Sequence, residues 1–156
     1  MPDTEQISHS PQETINIGAG IGRLAASGDI YLLTGSLGAG KTCLTQGIAR
    51  GLGIDEPTPS PSFVLVRQFC GRLPLYHVDL YRLENTDEIA DLGLDDYLYG
   101  DGVCVIEWAD RGLGLLPPEH LMIHIDYIDD NQRRLSFKPG NRHYQELVSS
   151  LRPAGG

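Results

Sequence analysis

Asp29-Ile30-Tyr31-Leu32-Leu33-Thr34-Gly35-Ser36-Leu37-Gly38-Ala39-Gly40-Lys41-Thr42 is the stretch that decides the fold. It begins as a continuous apolar run of strand length, the pattern of a strand buried on both faces. Gly35 to Gly40 make a glycine-rich turn. Lys41 to Leu52 then reads as a helix with Leu44, Ile48 and Leu52 on one side, ended by Gly53. The turn matches GxxxxGK[ST], the P-loop or Walker A pattern. Its glycines permit positive φ, so consecutive backbone N–H groups can turn inward around a phosphate. The following helix points its positive dipole end at the same phosphate. Lys41 adds a mobile cation for β- and γ-phosphates, and the Thr42 hydroxyl suits Mg²⁺. Such a pattern also arises by chance. Here the strand before it and the amphipathic helix after it supply the context the chemistry needs.

Outward from this unit the chain alternates between strand and helix patterns. Residues 1–11 read as a frayed lead-in, and 152–156 as a second frayed end. Ile17 to Ser27 has the spacing of a short helix, weakened by Gly18, Gly20 and Gly22. Pro57-Thr58-Pro59-Ser60-Pro61-Ser62 is an extended, hydroxyl-rich loop, because alternate prolines remove backbone donors. Phe63–Phe69 and Pro74–Tyr81 flank Cys70-Gly71-Arg72 as a β-hairpin. The segment 84–99 suggests short surface helices, with Ile89, Leu92 and Leu98 between charges. Val103 to Ile106 is a second strand of parallel-sheet type. His120–Ile128, the turn Asp129-Asp130-Asn131 and Arg133–Phe137 form another hairpin, and 142–151 a closing helix. The expected architecture is one α/β domain over residues 1–156, a three-layer P-loop NTPase-like fold with a mixed sheet and antiparallel hairpin additions.

Composition narrows the function. The chain has 156 residues and a formal net charge of −9. Residues 84–110 hold nine acids and no Lys or Arg, and the other twelve acids match all twelve bases. A general electrostatic hold on RNA, DNA or an anionic membrane requires clustered cations, which this balance lacks. No apolar run approaches the roughly 20 residues of a membrane span. The start, MPDTEQISHSPQ, has neither a cationic head nor an apolar core, and so does not read as a signal peptide. Cys43, Cys70 and Cys104 are odd in number and lack metal spacing. They read as reduced thiols of a cytoplasmic protein.

Two further constellations bear on the P-loop. A P-loop enzyme needs a second acid for Mg²⁺ or its water, usually at the end of a neighbouring parallel strand. Val103-Cys104-Val105-Ile106-Glu107 supplies it, with Trp108 next, suited either to core packing or to stacking on a base or partner. In His77-Val78-Asp79-Leu80-Tyr81-Arg82, alternate residues share a strand face, so His77, Asp79 and Tyr81 line up while Val78 and Leu80 face the core. Asp79 is then a candidate to orient water or metal near the γ-phosphate. Arg82 is equally placed to pair with the acids that follow. Ser60 and Ser62 offer hydroxyls where P-loop switches sense the γ-phosphate.

GSLGAGKT, SPSF, HVDLYRL and VIEW, in that order and spacing, resemble the TsaE (YjeE) family over roughly residues 12–130. These are bacterial P-loop ATPases of threonylcarbamoyladenosine biosynthesis in tRNA. The resemblance implies an Mg²⁺-dependent ATPase, slow alone, that serves the TsaD–TsaB complex, with tRNA engaged only through that complex and a monomeric chain favoured. Hydrolysis would turn over or reset the complex. It implies that Gly35, Ser36, Leu37, Gly38, Ala39, Gly40, Lys41, Thr42 and Cys43 cradle the nucleotide. Ser62, Trp108 and Arg111 are further nucleotide contacts, and Thr42 and Glu107 face Mg²⁺. Lys41, Asp79 and Glu107 form the catalytic set, with either carboxylate ordering the attacking water. Ser62 stands where the family usually has threonine, Ser36 where an acid is common and Cys43 where Thr or Ser is usual. Neither Ser36 nor Cys43 touches the Lys41–Thr42 chemistry, while Ser62 keeps the sensor hydroxyl and loses a methyl whose absence loosens the loop.

Three rivals remain on sequence grounds. A GTPase generally carries an NKxD motif, and neither Lys41 nor Lys138 follows an asparagine. A small-molecule kinase needs an arginine-bearing lid, for which Arg133 and Arg134 in a hairpin turn are the nearest substitute. A nucleotide-gated binding module without turnover is the third.

Overall fold

The computed structural model describes residues 4–35, 40–54, 66–79, 98, 100–107 and 116–151, with Asp79 described by its backbone. Expectations for Ser36 to Ala39, the loop 57–62, Tyr81 and Arg82, the acidic stretch 84–97, Trp108, Arg111 and the end 152–156 fall outside these residues.

The decisive strand is β2 (Ile30–Gly35), and the helix after the loop is α2 (Lys41–Gly51). Around them the chain forms β1 (Thr4–Ser8), α1 (Pro11–Leu24), β3 (Val66–Cys70), β4 (Pro74–Asp79) and β5 (Val103–Glu107). It closes with β6 (Leu121–Tyr127), β7 (Arg133–Pro139) and α3 (Arg142–Ser149). The described strands make one seven-stranded sheet in the order β1-β7-β6-β2-β5-β4-β3. β2 lies between β5 and β6, parallel to both, and β4 runs parallel to β5. β3 adds antiparallel at one edge, and β7 and β1 at the other. The expected mixed sheet with hairpin additions is therefore the observed one.

Both faces of the parallel centre are covered, which is why its strands read as unbroken apolar runs. On one face Tyr31, Leu33, Val105 and Ile123 pack against Ile21 of α1, Leu44 and Ile48 of α2 and Leu147 of α3. On the other, Ile30, Leu32, Val78, Cys104 and Ile106 cluster with Leu98 and Leu116. Each fully buried Leu or Ile contributes about 1.5–3 kcal/mol over leaving it in water.

Two expectations need correcting. The lead-in is not frayed from Thr4 onward: Thr4–Ser8 pairs with Arg133–Phe137 as an edge strand. The first helix is also longer than its glycines suggest and starts at Pro11. Ser10 caps it, its Oγ accepting from the Glu13 N–H at 3.0 Å, while the Glu13 carboxylate accepts from the His9 N–H at 3.0 Å. The glycines that weaken the propensity are the packing surface. A Cβ on Gly18, Gly22, Gly47 or Gly51 would collide with the backbone of the opposite helix. The carbonyls met are those of Leu44, Ile48, Ile15 and Ala19 respectively. α1 and α2 thus touch backbone to backbone, and contact across the seam outweighs the roughly 1 kcal/mol lost per helical glycine. Arg72, at the β3–β4 turn, locks this pair to the sheet edge. Its guanidinium donates to the Gly22 and Ala25 carbonyls at 2.9 and 2.8 Å, closing the C-terminus of α1.

Candidate functional site

The parallel strands β4, β5, β2 and β6 deliver their C-terminal ends to one edge of the molecule, where open α/β sheets bind ligands. β2 ends in Gly35, with φ +138°, and a Cβ there would press on the Ile125 carbonyl. α2 opens after Gly40, whose φ of +113° is left-handed, and no side chain caps the helix. Gly40 as N-cap thus offers α2 no side-chain acceptor of the kind Ser10 and Asn141 give α1 and α3, and a helix start of this kind suits an anion. Lys41 is only 5 % exposed. Its Nζ donates to the Gly35 carbonyl at 2.7 Å, so one ammonium ties the strand end to the helix start. Thr45 steadies the same turn by donating to the Lys41 carbonyl at 3.0 Å. Thr42 follows on the first turn, half-buried.

Glu107 ends β5 in register with Leu33 of β2 on one side and Asp79 of β4 on the other. The expected carboxylate is thus on the strand next to β2, level with Leu33, two residues before Gly35. It is 2 % exposed and accepts a short hydrogen bond from His77 Nε2. His77 itself is 0 % exposed. Val78 faces the second cluster as expected, yet the His77 face is buried too, because α1 and α2 cover that side of the sheet. At His77 the strand lies between two covered faces and has no solvent side.

A cavity of about 120 Å³ opens beside the loop, which sequence reasoning missed. Ser10 and Thr14 come from the start of α1, Gly40 and Cys43 from α2, and Asn131 and Arg133 from the β6–β7 turn. Thr14 is held there by a 2.6 Å hydrogen bond with Ser8 Oγ. Arg133 lies over the Tyr127 ring at 4.6 Å and donates to the Asp129 carbonyl at 2.6 Å. Three distant segments build this cavity, and Gly40 and Cys43 of the P-loop pattern carried a signal for it.

Of the expected site residues, Gly35, Gly40, Lys41, Thr42, Cys43, Glu107 and the Asp79 backbone lie within the described structure, at the same edge of the sheet. Ser36, Leu37, Gly38, Ala39, Ser62, Trp108 and Arg111 lie outside it. The fit to phosphate is good: an uncapped helix N-terminus, a left-handed glycine and a lysine converge at one loop. The fit to Mg²⁺ rests on a hydroxyl and a carboxylate, hard oxygen donors of the sparse kind that shares the ion with phosphates and water.

Sheet order and the helix that opens after left-handed Gly40 define a P-loop NTPase-like α/β protein. A crystal structure of YdiB from Bacillus subtilis shares the fold, with a TM-score of 0.83 and 36 % identity, covering 95 % of this chain and 93 % of that one. The chain belongs to the TsaE family, described as threonylcarbamoyl adenosine biosynthesis protein TsaE, whose model matches residues 8–135. It is 43 % identical over 143 residues to the tRNA threonylcarbamoyladenosine biosynthesis protein TsaE of Bacillus subtilis, covering 91 % of this chain and 89 % of that one. To the protein of the same name from Treponema pallidum it is 42 % identical over 130 residues, covering 83 % and 96 %. Among the described residues no helix is long and apolar enough to cross a membrane.

Proposed function

We propose that this chain binds ATP with Mg²⁺, hydrolyses it, and by doing so serves the TsaD–TsaB complex in tRNA threonylcarbamoyladenosine biosynthesis. The supporting observation is the Lys41 bridge to Gly35 across an uncapped α2. It sets an ammonium and a row of N–H donors where β- and γ-phosphates belong. The cavity at Cys43 supports this reading, as room for a nucleoside beside the helix start. Mg²⁺, when bound, neutralises phosphate charge as it develops in the transition state.

The chain's own part is positioning and charge. Lys41 and the loop amides hold the phosphoryl oxygens, donors aimed where negative charge grows. Thr42 and Glu107 take the cation, and Asp79 orders the attacking water. Ser62, Trp108 and Arg111 complete the nucleotide contacts. The pathway role comes from the family, and it agrees with a chain whose formal net charge is −9. Action in the cytoplasm, on tRNA held by the partners, follows from the same reading.

The test is phosphate release from ATP by the chain alone and with purified TsaD and TsaB. Slow release alone, faster on the complex, and loss of about 100-fold or more in Lys41→Ala are expected, the scale of removing a transition-state donor. Transfer of phosphate to a metabolite, or unchanged release by Lys41→Ala, would overturn the reading.

A further inference from the structure

His77 and Glu107 stand 30 residues apart in sequence and meet inside the protein. His77 pairs in register with Val105 of β5, and Glu107 lies two residues further along that strand. Side chains in register share a face, as do alternate residues of one strand, so all three point to the side that carries α1 and α2. Val105 belongs to that core. The imidazole Nε2–H donates to Glu107 Oε2. The other ring nitrogen, Nδ1, is buried with no hydrogen-bond partner among the described residues.

A core position of this shape would be filled at lower cost by Leu or Phe. A buried polar atom left unmatched costs about 1–3 kcal/mol, and His77 carries one. What the imidazole supplies, and an apolar side chain does not, is the bond to Glu107. A glutamate has three side-chain torsions to fix. A donor on Oε2 removes that freedom and leaves Oε1 as the oxygen with work to do.

We propose that His77 is the positioning residue for Glu107: its Nε2–H holds Oε2 so that the carboxylate presents Oε1 to the nucleotide's divalent cation. This rests on the nucleotide reading above and adds a residue to it. His77 touches neither nucleotide nor metal. It acts through Glu107, in the way outer hydrogen bonds orient metal-binding carboxylates.

The test uses the full chain with ADP, and Mn²⁺ in place of Mg²⁺, counting free Mn²⁺ by its electron paramagnetic resonance signal. His77→Leu is expected to weaken Mn²⁺ binding to the ADP complex about 10–100-fold, the usual cost of losing an outer hydrogen bond. Metal-free ADP affinity should stay within about twofold, because Lys41 and the loop amides are untouched. His77→Gln, whose amide reaches the Nε2 position, should recover most of the metal affinity. His77→Asn, polar but too short to reach Glu107, should not, and it stands in should the leucine variant fail to fold. Unchanged Mn²⁺ affinity in His77→Leu or His77→Asn overturns the proposal. So does a His77→Gln that falls as far as they do, since shape alone would then explain the residue. A wild-type chain that binds no Mn²⁺ with ADP overturns the nucleotide reading and this role with it, and is told apart because it appears before any substitution.

Discussion

The sheet carries a histidine–carboxylate pair at each end, and the two are built differently. At the N-terminal end of β2, Asp29 is held by three donors. It accepts from the Ala26 N–H at 2.9 Å, the Tyr31 hydroxyl at 2.7 Å and His143 Nε2 at 2.7 Å. Tyr144, next to that histidine, accepts from the Ile30 N–H at 3.0 Å, so α3 is fastened to the start of β2 twice. At the C-terminal end, among the described residues, Glu107 has one donor, His77, and the second nitrogen of that ring has no partner. A carboxylate held by three donors on its two oxygens is a staple. One with a single donor, at the ligand end of a parallel sheet, still has capacity for chemistry.

Removing the staple should give the largest effect on folding. Asp29→Ala leaves the Tyr31 hydroxyl and the Ala26 N–H without their acceptor, at about 1–3 kcal/mol each. A loss of about 3 kcal/mol or more by urea denaturation is expected, with ADP affinity per folded molecule unchanged. A large loss of ADP affinity would erase the division between the two ends. Glu107→Ala should do the reverse, costing about 100-fold in ATP turnover on the TsaD–TsaB complex, or about 2.7 kcal/mol of barrier at 1.36 per decade. Metal-free ADP binding should hold, and isothermal titration calorimetry separates the two quantities.

Smaller effects sharpen the N-terminal end. Tyr144→Phe removes the acceptor of the Ile30 N–H and should cost about 1 kcal/mol, read as a lower urea midpoint. Burial pushes the Tyr144 hydroxyl up from 10.0 to about 12, and the Cys104 thiol up from 9.0 to about 12. Both hold their protons more tightly when folded. Their contribution is complete below pH 9 and is lost as pH rises towards about 12. Stability should therefore fall across this window, and less steeply in Cys104→Ala and Tyr144→Phe. Equal slopes in wild type and both variants would count against burial as the cause.

The parts of this design that were legible in the sequence are those set by neighbours in the chain. The run Ile30 to Thr34, the loop glycines and the stripe Leu44, Ile48, Leu52 specify strand, turn and helix within a short window, and Val103 to Ile106 announces its parallel partner. Pairings across long separations were not legible. The β1 sequence TEQIS has no apolar run and becomes a strand only because β7 offers an edge. Gly18 and Gly22 look like helix weakeners until α2 is laid against them. The polar row beginning at His77 gave the correct parity, but nothing local says that α1 and α2 cover that face. The cavity at Cys43 gathers three segments, and no one of them forecasts the others.

The glycine seam between α1 and α2 also limits how this chain can evolve. In most cores a residue that grows can be answered by a partner that shrinks. Across the seam the partner of each glycine is backbone, which cannot shrink. Gly18, Gly22, Gly47 and Gly51 have therefore no compensating route, and an alanine at one of them must push two helices apart. Those helices hold Ser10, Thr14, Gly40 and Cys43 on the two sides of the cavity, so its width is inherited with the seam. Drift in this sequence has to pass around four positions that carry no side chain at all.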